Sequence, residues 1–67
     1  MQLSDNMQIV KQANDDDFFM WVRFVRYGDV PRWEEPLLVK MINDRLIPHG
    51  LEFNWGCCGT NQITRRE

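Results

Sequence analysis

The aromatic and β-branched run at residues 18–27 constrains the fold of this chain more than any other feature. Side chains of these types pack well on a pleated sheet, so the run predicts a long central β-strand. Period-two geometry assigns one face of that strand to the core, consisting of Phe18, Met20, Val22 and Phe24. The opposite face carries Phe19, Trp21, Arg23, Val25 and Tyr27.

Shorter patterns on either side predict the remaining elements. Residues 7–13 alternate weakly in polarity, which favours a strand, and residues 14–17 form a polar cluster typical of a hairpin loop. An apolar stripe beginning near Pro36 predicts an amphipathic helix of about three turns. Residues 51–55 alternate as a half-buried strand does, and residues 62–66 allow either a short edge strand or a frayed tail.

This order of elements predicts one α+β domain spanning residues 1–67. We expect a two-layer fold in which one helix packs on a three- to four-stranded antiparallel sheet, in the order ββαβ(β). A chain of 67 residues has room for a single small core.

Charge and cysteine content limit the classes of function. The net charge of −2 gives no global reason to expect nucleic-acid binding, because domains that grip phosphate usually carry a positive excess. No run approaches the roughly 20 apolar residues of a membrane span, and no signal peptide is evident. Adjacent Cys57 and Cys58 cannot staple distant segments, which favours reduced thiols and a cytoplasmic location.

No catalytic or metal-binding constellation emerges from the reactive residues. Cys57 and Cys58 lie between glycines, and His49 is the only histidine, but no third member of a triad can be named. A zinc site needs about four ligands at recognisable spacing, and the chain does not offer them. We therefore expect a protein that is not an enzyme, with no catalytic residues, no metal and no cofactor.

The aromatic face of the predicted long strand is the leading candidate for a binding surface. One helix covers only one side of a sheet, so the side chains of Phe19, Trp21, Arg23 and Tyr27 would stay partly exposed. Two alternatives would cover this face: the chain termini could fold over it, or a second copy could pack on it as a homodimer.

The acidic run Asp15, Asp16 and Asp17 is the second candidate. We interpret it as a solvated hairpin loop, with imitation of a phosphate backbone as the functional alternative. Cation binding is a weaker alternative, because the spacing does not match a known calcium loop.

Small size, acidity and the lack of a catalytic set resemble the small inhibitors that phages and other mobile elements direct against host or defence enzymes. The leading hypothesis is therefore an intracellular protein–protein binding module, such as an inhibitor, with an unidentified protein partner. It would dock by the aromatic and arginine sheet face or by the acidic loop. The alternative is a nucleic-acid-binding or regulatory accessory protein that uses four arginines, namely Arg23, Arg26, Arg65 and Arg66.

Overall fold

Three α-helices precede a two-stranded sheet in the computed structural model, which describes residues 3–57 and 59–66. The elements are α1 (Asp5–Gln12), α2 (Asp15–Phe24), α3 (Glu35–Leu46), β1 (Leu51–Asn54) and β2 (Gln62–Arg65). Single 3₁₀ turns follow α2 and α3, at Tyr27–Asp29 and Ile47–His49. The protein is thus a small α+β domain.

The predicted ββαβ(β) architecture is wrong, because both N-terminal strands of that prediction are helices. The Ser4 hydroxyl accepts a hydrogen bond from the Met7 amide at 3.2 Å and caps the start of α1. The Asn14 side chain accepts from the Asp17 amide at 2.8 Å and caps α2 in the same way. Side-chain oxygens at these positions satisfy amides that have no partner within the helix, so each helix has a defined start.

The core face predicted for residues 18–27 is also wrong in half of its members. Phe18 and Val22 are buried, as expected for residues four apart on one helix face. Met20 and Phe24, which the strand pattern assigned to the core, are exposed to solvent. The helical period of 3.6 residues places them on the side of α2 that faces away from the core.

The predicted helix near Pro36 and the predicted strand at residues 51–55 agree with the structure, and the last segment forms the edge strand rather than a frayed tail. Helix α3 begins with Pro36 in its first turn, and β1 and β2 pair antiparallel with Phe53 opposite Ile63. The Asn43 side chain joins α3 to β1 by accepting a hydrogen bond from the Phe53 amide at 2.9 Å. The sheet has only these two strands in the described chain, rather than the predicted three or four.

The core lies between the three helices and one face of the hairpin. Its buried apolar members are Met7, Val10, Phe18, Val22, Val30, Leu38, Ile42, Leu46 and Phe53. Glu34 is the buried charged residue of the described chain, and one of its carboxylate oxygens accepts a hydrogen bond from the Asn6 side-chain amide at 3.2 Å. Its other oxygen, Oε1, has no hydrogen-bond partner among the described residues.

Arg45 of α3 connects all three helices. Its guanidinium donates to the Val10 carbonyl at 2.7 Å and to the Ala13 carbonyl, at the C-terminal end of α1. The same group lies 3.3 Å from the Asp15 carboxylate and 4.3 Å from the centre of the Phe18 ring, both in α2. A planar group with several fixed donors can make these contacts together, which a lysine ammonium cannot.

Asn61 connects the loop between the strands to the C-terminal end of α2. Its side-chain amide donates to the carbonyls of Val22 and Val25 at 2.8 and 2.7 Å, and its side-chain oxygen accepts from the Gly56 amide at 2.8 Å. The loop is tight at this point, because a β-carbon on Gly56 would lie 2.0 Å from the Thr60 carbonyl oxygen. Glycine is therefore required at position 56 for steric reasons.

Candidate interaction surface

The solvent-facing side of α2 carries exposed apolar side chains next to charged ones. We call it the α2 outer face and define it by Asp16, Met20, Arg23 and Phe24. The exposed fractions of Met20 and Phe24 are 65% and 57%. These two residues are four positions apart and therefore lie next to each other on the helix surface.

Met20 and Phe24 form a ridge with a shallow depression on each side. Asp16, Phe19 and Arg23 complete the lining of one depression. The other is lined further by Asn6, Trp21, Val25, Arg26 and Asp29. A ridge of residues spaced four apart, with grooves beside it, is the surface shape by which helices pack together.

Charge changes sign along α2. Its first turn contains Asp15, Asp16 and Asp17, and its last turn contains Arg23. This order matches the helix dipole, which favours negative groups at the start and positive groups at the end. Arg45 pairs with Asp15, and this is the sole ion pair among the described residues, so Asp16 and Arg23 have no ionic partner there.

The predicted acidic hairpin loop is therefore the first turn of α2. All three aspartates are exposed, and Asn14 caps the turn that they form. They have a structural role, because carboxylates there stabilise the helix start.

The residues of the predicted aromatic sheet face do not share one face. Phe19 and Trp21 are partly buried on different sides of α2, and Phe19 packs edge-on against His49 with the ring centres 5.5 Å apart. Tyr27 lies beyond the helix end and packs against Trp55 at 5.4 Å. Of the four, Arg23 alone belongs to the α2 outer face, and whether the others bind a partner stays a prediction.

The sequence pattern contained a signal for the residues that were missed. Phe18, Val22 and Val25 follow helical spacing, and Asn14 with three aspartates is a typical helix start. Had these two signals outweighed strand propensity, Met20 and Phe24 would have been assigned to solvent.

The reactive residues do not come together. His49 and Cys57 are both exposed and lie at opposite ends of β1, while Cys58 is outside the described residues. Within the described ranges, no three His, Cys, Asp or Glu side chains are grouped so as to hold a metal ion.

The four arginines of the nucleic-acid alternative come from two regions of the chain. Arg23 lies in the last turn of α2 and Arg26 just beyond it, whereas Arg65 ends β2 and Arg66 follows it. The aromatic sheet that would have provided a stacking platform beside them is replaced by α2.

Two further findings concern membrane-spanning helices and similarity to known proteins. No helix in residues 3–57 and 59–66 is long and apolar enough to cross a membrane. No protein-family model matches the chain, and neither the curated proteins nor the solved structures include one with significant similarity to it.

Proposed function

We propose that this chain is a protein–protein binding module that docks through the α2 outer face. One observation carries the proposal: Met20 and Phe24 stand side by side on a regular helix with more than half of each side chain in water. Contiguous exposed apolar groups flanked by charges commonly mark interaction sites. Arginine and large apolar side chains are also frequent among the residues that contribute most to binding.

The apolar part of this surface supplies a portion of the free energy of binding. Fully burying a Met or Phe side chain contributes about 1.5 to 3 kcal/mol, and more than half of each is still exposed in this chain. Burying both would therefore contribute about 2 to 4 kcal/mol before the cost of association. A partner groove that accepts two anchors spaced four apart is the expected recognition mode.

Inhibition of an enzyme inside the cell is the specific form of this proposal. It rests on the resemblance in size and charge to small inhibitors. The expected consequence is that a captured enzyme loses activity when this protein is added.

The proposal is tested by capturing partners from a lysate of the native host, with and without nuclease, and identifying them by mass spectrometry. Three baits are compared: the wild-type protein, Phe24→Asp and Leu37→Asp. Leu37 is a matched control, because it is 52% exposed but lies on α3. Circular dichroism confirms that each variant is folded.

The expected result is a protein that binds the wild type and Leu37→Asp and does not bind Phe24→Asp. Equal capture by all three baits would refute the α2 outer face as the docking surface. Capture that disappears with nuclease, and with Arg23→Glu or Arg65→Glu, would replace the proposal with the nucleic-acid alternative.

A further inference from the structure

We propose that the α2 outer face binds a second copy of this chain, with the two α2 helices antiparallel about a two-fold axis close to Met20. This inference rests on the proposed function, because the second copy would bind the same surface, in competition with any other protein that docks there. Three features of the α2 outer face support it: the spacing of its charges, the shape of its ridge, and the lack of ionic partners for two of its residues.

The spacing of the charges makes the surface complementary to itself. Asp16 and Arg23 are seven residues apart. Seven residues rotate around the helix axis by about 20° less than two full turns, so both side chains lie on the same edge of α2. They are separated by about 10.5 Å along the helix axis, with Met20 between them. In an antiparallel pair related by a two-fold axis, like edges face each other.

Asp16 of each copy is then level with Arg23 of the other copy. The two-fold axis repeats this contact, so one pairing arrangement produces two equivalent ion pairs. A parallel pair about a two-fold axis would instead place the two copies of this charged edge on opposite sides of the contact, so neither ion pair could form. The charge order along α2 therefore selects the antiparallel orientation.

The apolar ridge fits the same arrangement. Met20 and Phe24 of one copy can occupy the depression beside the ridge of the other, as ridges four residues apart do when two helices pack. Both apolar side chains would leave water in both copies. Because few residues take part, we expect a weak and reversible dimer whose population depends on protein concentration.

Sedimentation equilibrium over a wide range of protein concentration tests the dimer directly. The wild-type protein should change from 8.1 kDa to twice that mass as its concentration rises. Phe24→Asp should raise the dissociation constant by about a hundredfold, because it removes apolar burial in both copies. Leu37→Asp should leave the dissociation constant unchanged.

A charge exchange gives a second test that does not depend on the apolar residues. Asp16→Arg and Arg23→Asp should each weaken self-association by about tenfold, since each variant places like charges together twice. An equimolar mixture of these two variants should associate again, because each copy then offers the charge that the other lacks. The double variant Asp16→Arg/Arg23→Asp should also dimerise.

Failure of this inference can be distinguished from failure of the proposed function. A wild-type protein that stays monomeric at every soluble concentration overturns the dimer, as does a variant mixture that associates no better than its components. If a protein of different sequence is still captured by the wild type and not by Phe24→Asp, the proposed function stands without the second copy. If neither self-association nor capture depends on Phe24, both are wrong.

Discussion

Replacing Arg45 should destabilise this protein more than any other single change of a surface-accessible charge. The side chain is 22% exposed and makes two hydrogen bonds to carbonyls at the end of α1. Hydrogen bonds from a charged donor contribute about 1.5 to 3 kcal/mol each. We expect Arg45→Met, which keeps an apolar stem, to reduce the free energy of unfolding by about 3 to 4 kcal/mol.

The contributions of the other Arg45 contacts are smaller. The Asp15 carboxylate is 62% exposed, and an ion pair of this kind contributes about 0 to 1 kcal/mol. The position of the guanidinium over the Phe18 ring adds about 0.5 to 1 kcal/mol. The main effect of Arg45 is therefore to satisfy the carbonyls that α1 leaves without partners.

Three comparison variants separate these contributions. Arg45→Lys retains the charge but not the fork of donors, so it should cost about 1 to 2 kcal/mol. Asp15→Asn removes the ion pair alone and should cost at most about 1 kcal/mol. Arg32→Met changes an exposed arginine that has no ion pair or hydrogen bond with the described residues, and should stay within about 0.5 kcal/mol of wild type.

Urea unfolding followed by circular dichroism measures the free energy of unfolding of all four variants. A loss of 3 kcal/mol would lower the melting temperature of a domain of this size by about 12 to 24 °C. The reasoning is refuted if Arg45→Met lies within about 0.5 kcal/mol of wild type. It is also refuted if Asp15→Asn costs as much as Arg45→Met, since the surface ion pair would then be the dominant contact.

Five further substitutions test the loop and the buried carboxylate by the same unfolding measurement. Gly56→Ala should cost about 1 to 3 kcal/mol because its β-carbon would overlap the loop backbone, whereas Gly28→Ala, with open space around it, should be neutral. Asn61→Ala should cost about 2 to 4 kcal/mol through three lost hydrogen bonds, and Asn61→Asp should not restore stability because it cannot donate. Asn6→Ala should cost about 1 to 3 kcal/mol by removing the donor to the buried Glu34, and an unchanged midpoint would contradict this account.

Local sequence was sufficient for the C-terminal half of the fold. Helix α3 follows from an apolar stripe between Pro36 and Gly50, both of which limit where a helix can extend. The alternation of Leu51 and Phe53 with polar residues predicted β1, since only one face of that strand is buried. In this half of the chain, local propensity and burial favour the same structure.

In residues 18–27, propensity and periodicity disagree. Aromatic and branched side chains favour a strand, whereas Asn14 and the burial of Phe18 and Val22 favour a helix. Propensity is a weak preference that tertiary contacts override. The strand prediction placed Met20 and Phe24 in the core together with Phe18 and Val22, and it therefore obscured the α2 outer face.

The sequence alone therefore predicted the position of α3 and of the strand β1 that follows it. Only the tertiary structure decided that residues 15–24 form a helix and which of its sides faces solvent. The physical reason is that contacts from far along the chain add to the local Asn14 cap and favour a helix where residue propensity favours a strand. Arg45 reaches Asp15 across 30 residues, and Asn61 reaches the carbonyls of Val22 and Val25 across 39 and 36 residues, which no local pattern encodes.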